Sequence, residues 1–269
     1  MTAFSPVFHQ VLIGAHMFES CVLRCSFRAL VFFSLTCIGP LALADVLPNA
    51  TRIVYPEAKR DISFAIVNVG SDNAALAQMW IDAGDPNANP EDIEAPFSLS
   101  PPLARVAANA RQTVRITYTG ETSNLDQESL YWFNVLEIPF AFKGSADADR
   151  VTFLRRNRIK LFFRPKGLKG DLQQAFKQMQ CGVKNTEGAW VLECHNLSRF
   201  HLSFGAFALG NESEKVQADE EGGMLKPLQR MSFALKNYDK LPRPLSIVVF
   251  HFINDFGGIT PVEYSLAAR

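Results

Sequence analysis

The feature that most constrains this chain is a succession of short runs in which apolar and polar residues alternate, each closed by turn-forming residues. "TRIVYP" (51–56), "ISFAIVNVG" (62–70), "AALAQMWID" (74–82), "FSLSPP" (97–102), "RQTVRITYTG" (111–120), "SLYWFNVLEIP" (129–139) and "RVTFLRRNRIKLFFRP" (150–165) follow one another, with clusters such as "DAGDPNANP" between them. A period of two places successive side chains on opposite faces of a strand, and few stretches keep the 3.6-residue period of a helix. About seven strands in roughly 120 residues predicts an immunoglobulin-like β-sandwich. Pro101 and Pro102 fit an edge or a change of sheet, because proline cannot donate to a central ladder.

After Pro165 the pattern restarts. "GLKGDLQQAFKQMQC" (167–181) reads as a linker with a first strand or a turn of helix. "AWVLECHN" (189–196), "HLSFGAFALG" (201–210), "MSFALK" (231–236), "PLSIVVFHFIND" (244–255) and "VEYSL" (262–266) read as strands. The acidic stretch "NESEKVQADEEGG" (211–223) reads as a solvated hairpin or loop. The expected architecture is therefore all-β, with two tandem immunoglobulin-like β-sandwich domains, 45–166 and 167–269, joined near Pro165–Gly170.

The segment before them carries an export signal. Arg24 and Arg28 form a positive region, Ala29–Ile38 is a short apolar run, and Ala42-Leu43-Ala44 is a small-x-small cleavage site. The run is too short to span a bilayer, so residues 1–44 read as a Sec-type signal peptide, with Met17 a more ordinary start than Met1. Cys21, Cys25 and Cys37 leave with it. Cys181 and Cys194 remain, and an even pair in an exported protein reads as a disulfide, two buried free thiols being the alternative.

Composition is globular, with 48% of residues hydrophobic and 20% charged, and the formal net charge is zero. No global field recruits nucleic acid, so any anion binding is local. His195, His201 and His251 are scattered on strand-like segments and read as structural. No cluster has metal-ligand spacing, no nucleophile elbow or phosphate-binding loop appears, and no cofactor or enzymatic activity is expected.

Taken strand by strand, "NATRIVYP", "AQMWIDAGDPNANPED", "PFSLSPPLARV", "QTVRITYTGE", "QESLYWFNVLEIP", "RIKLFFRP" and "INDFGG" resemble the periplasmic chaperones of the chaperone–usher pathway, the PapD-like family that assembles adhesive pili. The resemblance covers nearly the whole mature chain. It implies two sandwiches in an L or boomerang arrangement, a periplasmic location, and pilus subunits and an outer-membrane usher as partners. The chaperone's own edge strands also offer a surface for self-association when it is free.

The resemblance also assigns residues. Arg52 and Lys160 match the pair that anchors the C-terminal carboxylate of a pilus subunit. Two cationic donors suit a group that only accepts. Val151 and Phe153 match the apolar row of the strand donated to the subunit, whose own fold lacks its last strand. Arg155 stands where the next apolar residue belongs, and its stem can pack while its head stays in water. Glu128, Arg164 and Asp255 match an ion network that fixes the angle between domains. The short segment "FAFKGSADADR" (140–150) resembles the short-loop branch of the family. Arg158 reads as a solvated flank of the row Arg158, Lys160, Arg164. The competing reading is an exported two-domain adhesin or carbohydrate-binding module, which needs exposed aromatic platforms and no paired cations.

Overall fold

The computed structural model describes residues 46–70, 73–121, 126–139, 154–219, 222–235 and 238–266. The expected signal peptide, the segment 140–150, and Val151 and Phe153, expected in the donated strand, lie outside these residues.

Among the described residues, the first sandwich has β1 (Val46–Pro48), β2 (Arg52–Pro56), β3 (Asp61–Asn68), β4 (Ala75–Asp82), β5 (Phe97–Ser100), β6 (Leu103–Val106), β7 (Arg111–Tyr118), β8 (Ser129–Pro139) and β9 (Arg155–Arg164). One sheet runs β1-β3-β7-β5 and the other β2-β9-β8-β4-β6. Ser100–Pro101–Pro102 is where the chain leaves the first sheet at β5 and enters the second at β6, the change of sheet that the two prolines predict. The strands β1 and β6 are too short to stand out in the sequence. Tyr55, Ile66, Ile116, Phe133, Leu161 and Phe163 fill the space between the sheets, each at most 1% exposed. Burying side chains of this size contributes roughly 1.5–3 kcal/mol apiece. The Tyr55 hydroxyl is satisfied inside this core: it donates to the Arg60 carbonyl at 2.9 Å and accepts from the Tyr118 amide at 2.9 Å.

The second sandwich opens with a short helix, α1 (Leu172–Lys177), capped by Asp171, whose carboxylate accepts the Gln174 amide at 2.8 Å. The strands β10 (Gln180–Thr186), β11 (Ala189–His195), β12 (Leu202–Gly210), β13 (Lys215–Asp219), β14 (Gly223–Leu225), β15 (Arg230–Ala234), β16 (Ile247–Ile253) and β17 (Ile259–Ser265) follow. They form a β10-β11-β15 sheet and a β13-β12-β16-β17 sheet, with β14 also on β12. The acidic stretch is thus partly strand: Lys215–Asp219 pairs with Phe207–Gly210. Its charges hid this, because an edge strand tolerates polar residues along its length. Phenylalanine dominates the core, with Phe204, Phe207, Phe250 and Phe252 in mutual ring contact and Phe176 of α1 stacked on Phe252 at 4.3 Å. Cys181 and Cys194 face each other in register across β10 and β11 and form a disulfide.

Candidate functional site

β2 joins its sheet by parallel pairing with β9, and the register sets Arg52 directly beside Lys160, with Ile53 beside Leu161 and so on to Pro56 beside Arg164. Two cations more than a hundred residues apart in the chain therefore share a ladder rung and a face. The pairing also ends there. On its other side β9 pairs with β8 from Phe163 back to Arg155, but β2 reaches only as far as Lys160. Among the described strands, Arg155–Ile159 is paired on one side only, so the open ladder begins at the rung that carries the two cations.

Both cations are held partly out of water. Arg52 is 8% exposed; its Nη1 donates to the Ile253 carbonyl at 3.0 Å, and its guanidinium lies 5.7 Å from the Phe162 ring. Its Nε is buried without a hydrogen-bond partner. Burial lowers its pKa, while the charges of Asp255 and Glu128 pull the other way without forming an ion pair with it. Burial, and then the neighbouring Arg52, also lower the pKa of the Lys160 ammonium. Like charges side by side in a half-dry setting favour an anion between them.

The outward face of β9 carries Arg156, Arg158, Lys160, Phe162 and Arg164, and acids are distributed among these cations unevenly. Asp82, at the end of β4, is 1% exposed. It accepts from Arg158 through Nη2 at 2.5 Å and Nε at 3.2 Å, from Arg156 at 3.4 Å, from Asn134 at 2.8 Å and from the Gly84 amide at 2.7 Å. Burial alone would push Asp82 up, but the hydrogen bonds from Arg158, Asn134 and Gly84 outweigh it and hold its carboxyl below the usual range. Arg158 lies 4.2 Å over the Trp132 ring and Arg156 lies 5.0 Å over Trp80. Arg158 is therefore not a solvated flank. Alternation put it on the outward face, but only the β4–β8–β9 arrangement brings it to a buried acid.

Arg164 is claimed by two more acids. Its Nε donates to Glu128 at 2.8 Å, and its two terminal nitrogens donate to the two oxygens of Asp255 at 2.6 Å each. The second oxygen of Glu128 accepts the His201 amide at 2.8 Å and lies 3.0 Å from His201 Nδ1. Glu128 and Arg164 belong to the first sandwich, His201 and Asp255 to the second. The turn bearing Asp255 is fixed from below: Asn254 Oδ1 accepts the amides of Phe256 and Gly258, and Gly257, at φ +83°, presses so closely on Thr51 that a Cβ there would collide with its hydroxyl. Among the described residues, Arg52 and Lys160 are the cations of this surface that no carboxylate pairs with.

Residues 45–169 match the family described as pili and flagellar-assembly chaperone, PapD N-terminal domain, and residues 174–264 match pili assembly chaperone PapD, C-terminal domain. The chain belongs to the PapD-like pilus-assembly chaperones. Curated relatives include the probable fimbrial chaperone YadV of Escherichia coli K12, 32% identical over 86% of this chain and 93% of that protein. Another is the chaperone protein FimB/FhaD of Bordetella pertussis, 32% identical over 91% and 97%. Among solved structures, the YadV chaperone superposes with a TM-score of 0.67 at 29% identity, covering 82% of this chain and all of that one. The CupB2 chaperone of Pseudomonas aeruginosa gives 0.63 at 28% identity, with the same coverage.

In this chaperone the sequence-expected residues fall as follows. Arg52 and Lys160 come together on one rung, and Glu128, Arg164 and Asp255 come into direct contact. Arg155, half-buried at the start of β9, stands opposite Glu137 on β8 and shares a face with Ile159 rather than with Lys160. Sequence reasoning missed Asp82, Trp132, Asn134 and His201. Alternation in "AQMWID" does put Asp82 on the same face as Trp80, but nothing local says which arginines stand over it.

Proposed function

We propose that this chaperone binds a pilus subunit by extending the subunit's sheet with β9 while Arg52 and Lys160 hold the subunit's terminal carboxylate. The reading rests on one observation above all: on a surface where every neighbouring arginine has an acid, the pair Arg52 and Lys160 has none among the described residues, and it sits where the open ladder of β9 starts. A guest strand laid along Arg155–Ile159 and beyond satisfies that ladder and ends where β2 begins. A carboxylate at its end accepts charge-assisted bonds from both cations, each worth about 1.5–3 kcal/mol in a partly desolvated setting. Val151 and Phe153 are the apolar residues that fill the guest's open core.

The network of Glu128, Arg164, Asp255 and His201 orients the two sandwiches and does not touch the guest. The protein acts in the periplasm without catalysis and passes subunits to an outer-membrane usher. The adhesin or carbohydrate-binding alternative is not favoured, because the family is one of fimbrial chaperones. Arg52→Ala and Lys160→Ala test the anchor. Each variant should stay folded by circular dichroism yet lose at least tenfold of the subunit that co-purifies with the wild type from periplasm. Wild-type yield of subunit with either variant overturns it.

A further inference from the structure

Strand donation has a weakness that the geometry of β9 exposes. Side chains in a strand alternate with a period of two, so a guest that slips by one residue turns its apolar face outward and is rejected, but a guest that slips by two keeps every side chain on its proper face. The ladder and the apolar row alone discriminate poorly against that slip. Arg158 lies two residues from Lys160 on the same face, about 7 Å along the strand, and Arg156 lies two further. Each is a cation at slip spacing, ready to take the guest's carboxylate in the wrong register.

Asp82 removes the nearer one, Arg158. Its buried carboxylate accepts two bonds from Arg158 and one from Arg156, and Asn134 and the Gly84 amide hold it in place. The rings complete the arrangement: Trp132 stands opposite Lys160 on β8 and under Arg158, so Arg158 lies flat toward Asp82 while Lys160, 6.0 Å from that ring, is left for the guest. Resting on the anchor proposed above, we infer that Asp82 is a positioning residue that makes Arg52 and Lys160 the single carboxylate seat on this edge and so excludes a guest bound two residues out of register. The residue does not touch the guest. It acts by occupying the competing cation next to the seat, Arg158.

The probe is acetate, titrated at constant ionic strength into the whole mature protein labelled with ¹⁵N, and read at the arginine Nε and lysine Nζ resonances. In the wild type, Arg52 and Lys160 should shift saturably and Arg158 should not. In Asp82→Asn, Arg158 should acquire a saturable shift of its own, a second seat. In Asp82→Asn combined with Arg158→Gln, the single seat should return with the wild-type affinity at Lys160. A merely structural role would weaken the Lys160 response without creating one at Arg158, and the double variant would not restore it. A silent Arg158 in folded Asp82→Asn, with Arg52 and Lys160 responding, overturns this inference alone. An Arg158 that responds in the wild type as strongly as Lys160 overturns it even if the variant does not fold. No response at Arg52 and Lys160 in the wild type overturns the anchor and this inference with it.

Discussion

Lys160 carries its charge at a cost to the free protein. Burial and the adjacent Arg52 disfavour its ammonium, so its folded pKa lies below the ordinary lysine value of about 10.4. Below the folded pKa both states are protonated and the cost is present in full. Between the folded and ordinary values the unfolded chain binds more protons, so stability rises with pH across that window. Lys160→Met, which keeps the stem and drops the charge, should therefore raise the stability of the free protein at pH 7 by on the order of 1 kcal/mol while abolishing subunit retention, the trade expected of a functional site. Urea unfolding of the two proteins measures it. Equal or lower stability in the variant shows that the ammonium is not strained in the free state. A bound carboxylate reverses the shift, so guest affinity should fall as pH climbs through the free-state pKa of Lys160. At this scale the residue types were legible. Cations at 52 and 160 in their motifs carried the assignment, whereas the fate of Arg158 did not show, since an arginine on an outward face reads the same whether or not an acid waits beneath it.

At the scale of elements, strands announce themselves by alternation and turns by their chemistry, both local properties, which is why the principal strands were recognisable and why β1, β6 and β14 were not. The acidic strand β13 was obscured by its own solubility. The edge strand β10 has a different problem: among the described strands, β11 is its one neighbour in the sheet. The Cys181–Cys194 bridge, closing a sequence separation of 13 residues, ties it there. A loop of that size constrains the unfolded chain by about 3 kcal/mol. Cys181→Ala with Cys194→Ala should lower the stability of the second sandwich by about 2–4 kcal/mol and leave the first unchanged, as followed by urea unfolding with hydrogen exchange resolved by segment. In the native protein both thiols should resist alkylation until a reductant is added. Ready alkylation without it, or an unchanged unfolding midpoint in the double variant, would show that the bridge contributes little.

At the scale of the whole molecule, stability of the pair of sandwiches depends on who keeps a partner when one member of the network is removed. The Glu128 carboxylate is 1% exposed and that of Asp255 is 30% exposed. Arg164→Ala leaves the buried Glu128 with His201 but without its arginine and should cost about 3 kcal/mol, whereas Asp255→Ala leaves Arg164 with Glu128 and water nearby and should cost about 1 kcal/mol. In both variants, calorimetry should resolve two melting transitions if the network couples the sandwiches. Equal costs, or a single unaltered transition in Arg164→Ala, would refute the coupling. His201 reads as structural in the sequence, and its contact with Glu128 from the second sandwich is of that kind, though an isolated histidine in a strand carries no sign of the acid it will meet.

The alternating pattern, the turns, the three-part pattern of residues 24–44 and the two late cysteines were determined by the sequence alone, because each depends on residues near one another in the chain or on counting. Pairings across long separations belong to the tertiary structure. The parallel register of β2 on β9 decided that Arg52 and Lys160 share a rung, and the side-by-side order of β4, β8 and β9 in one sheet decided that Asp82 takes Arg158 and leaves Lys160 open. Charge does its work at a few ångströms, and only folding brings those groups that close.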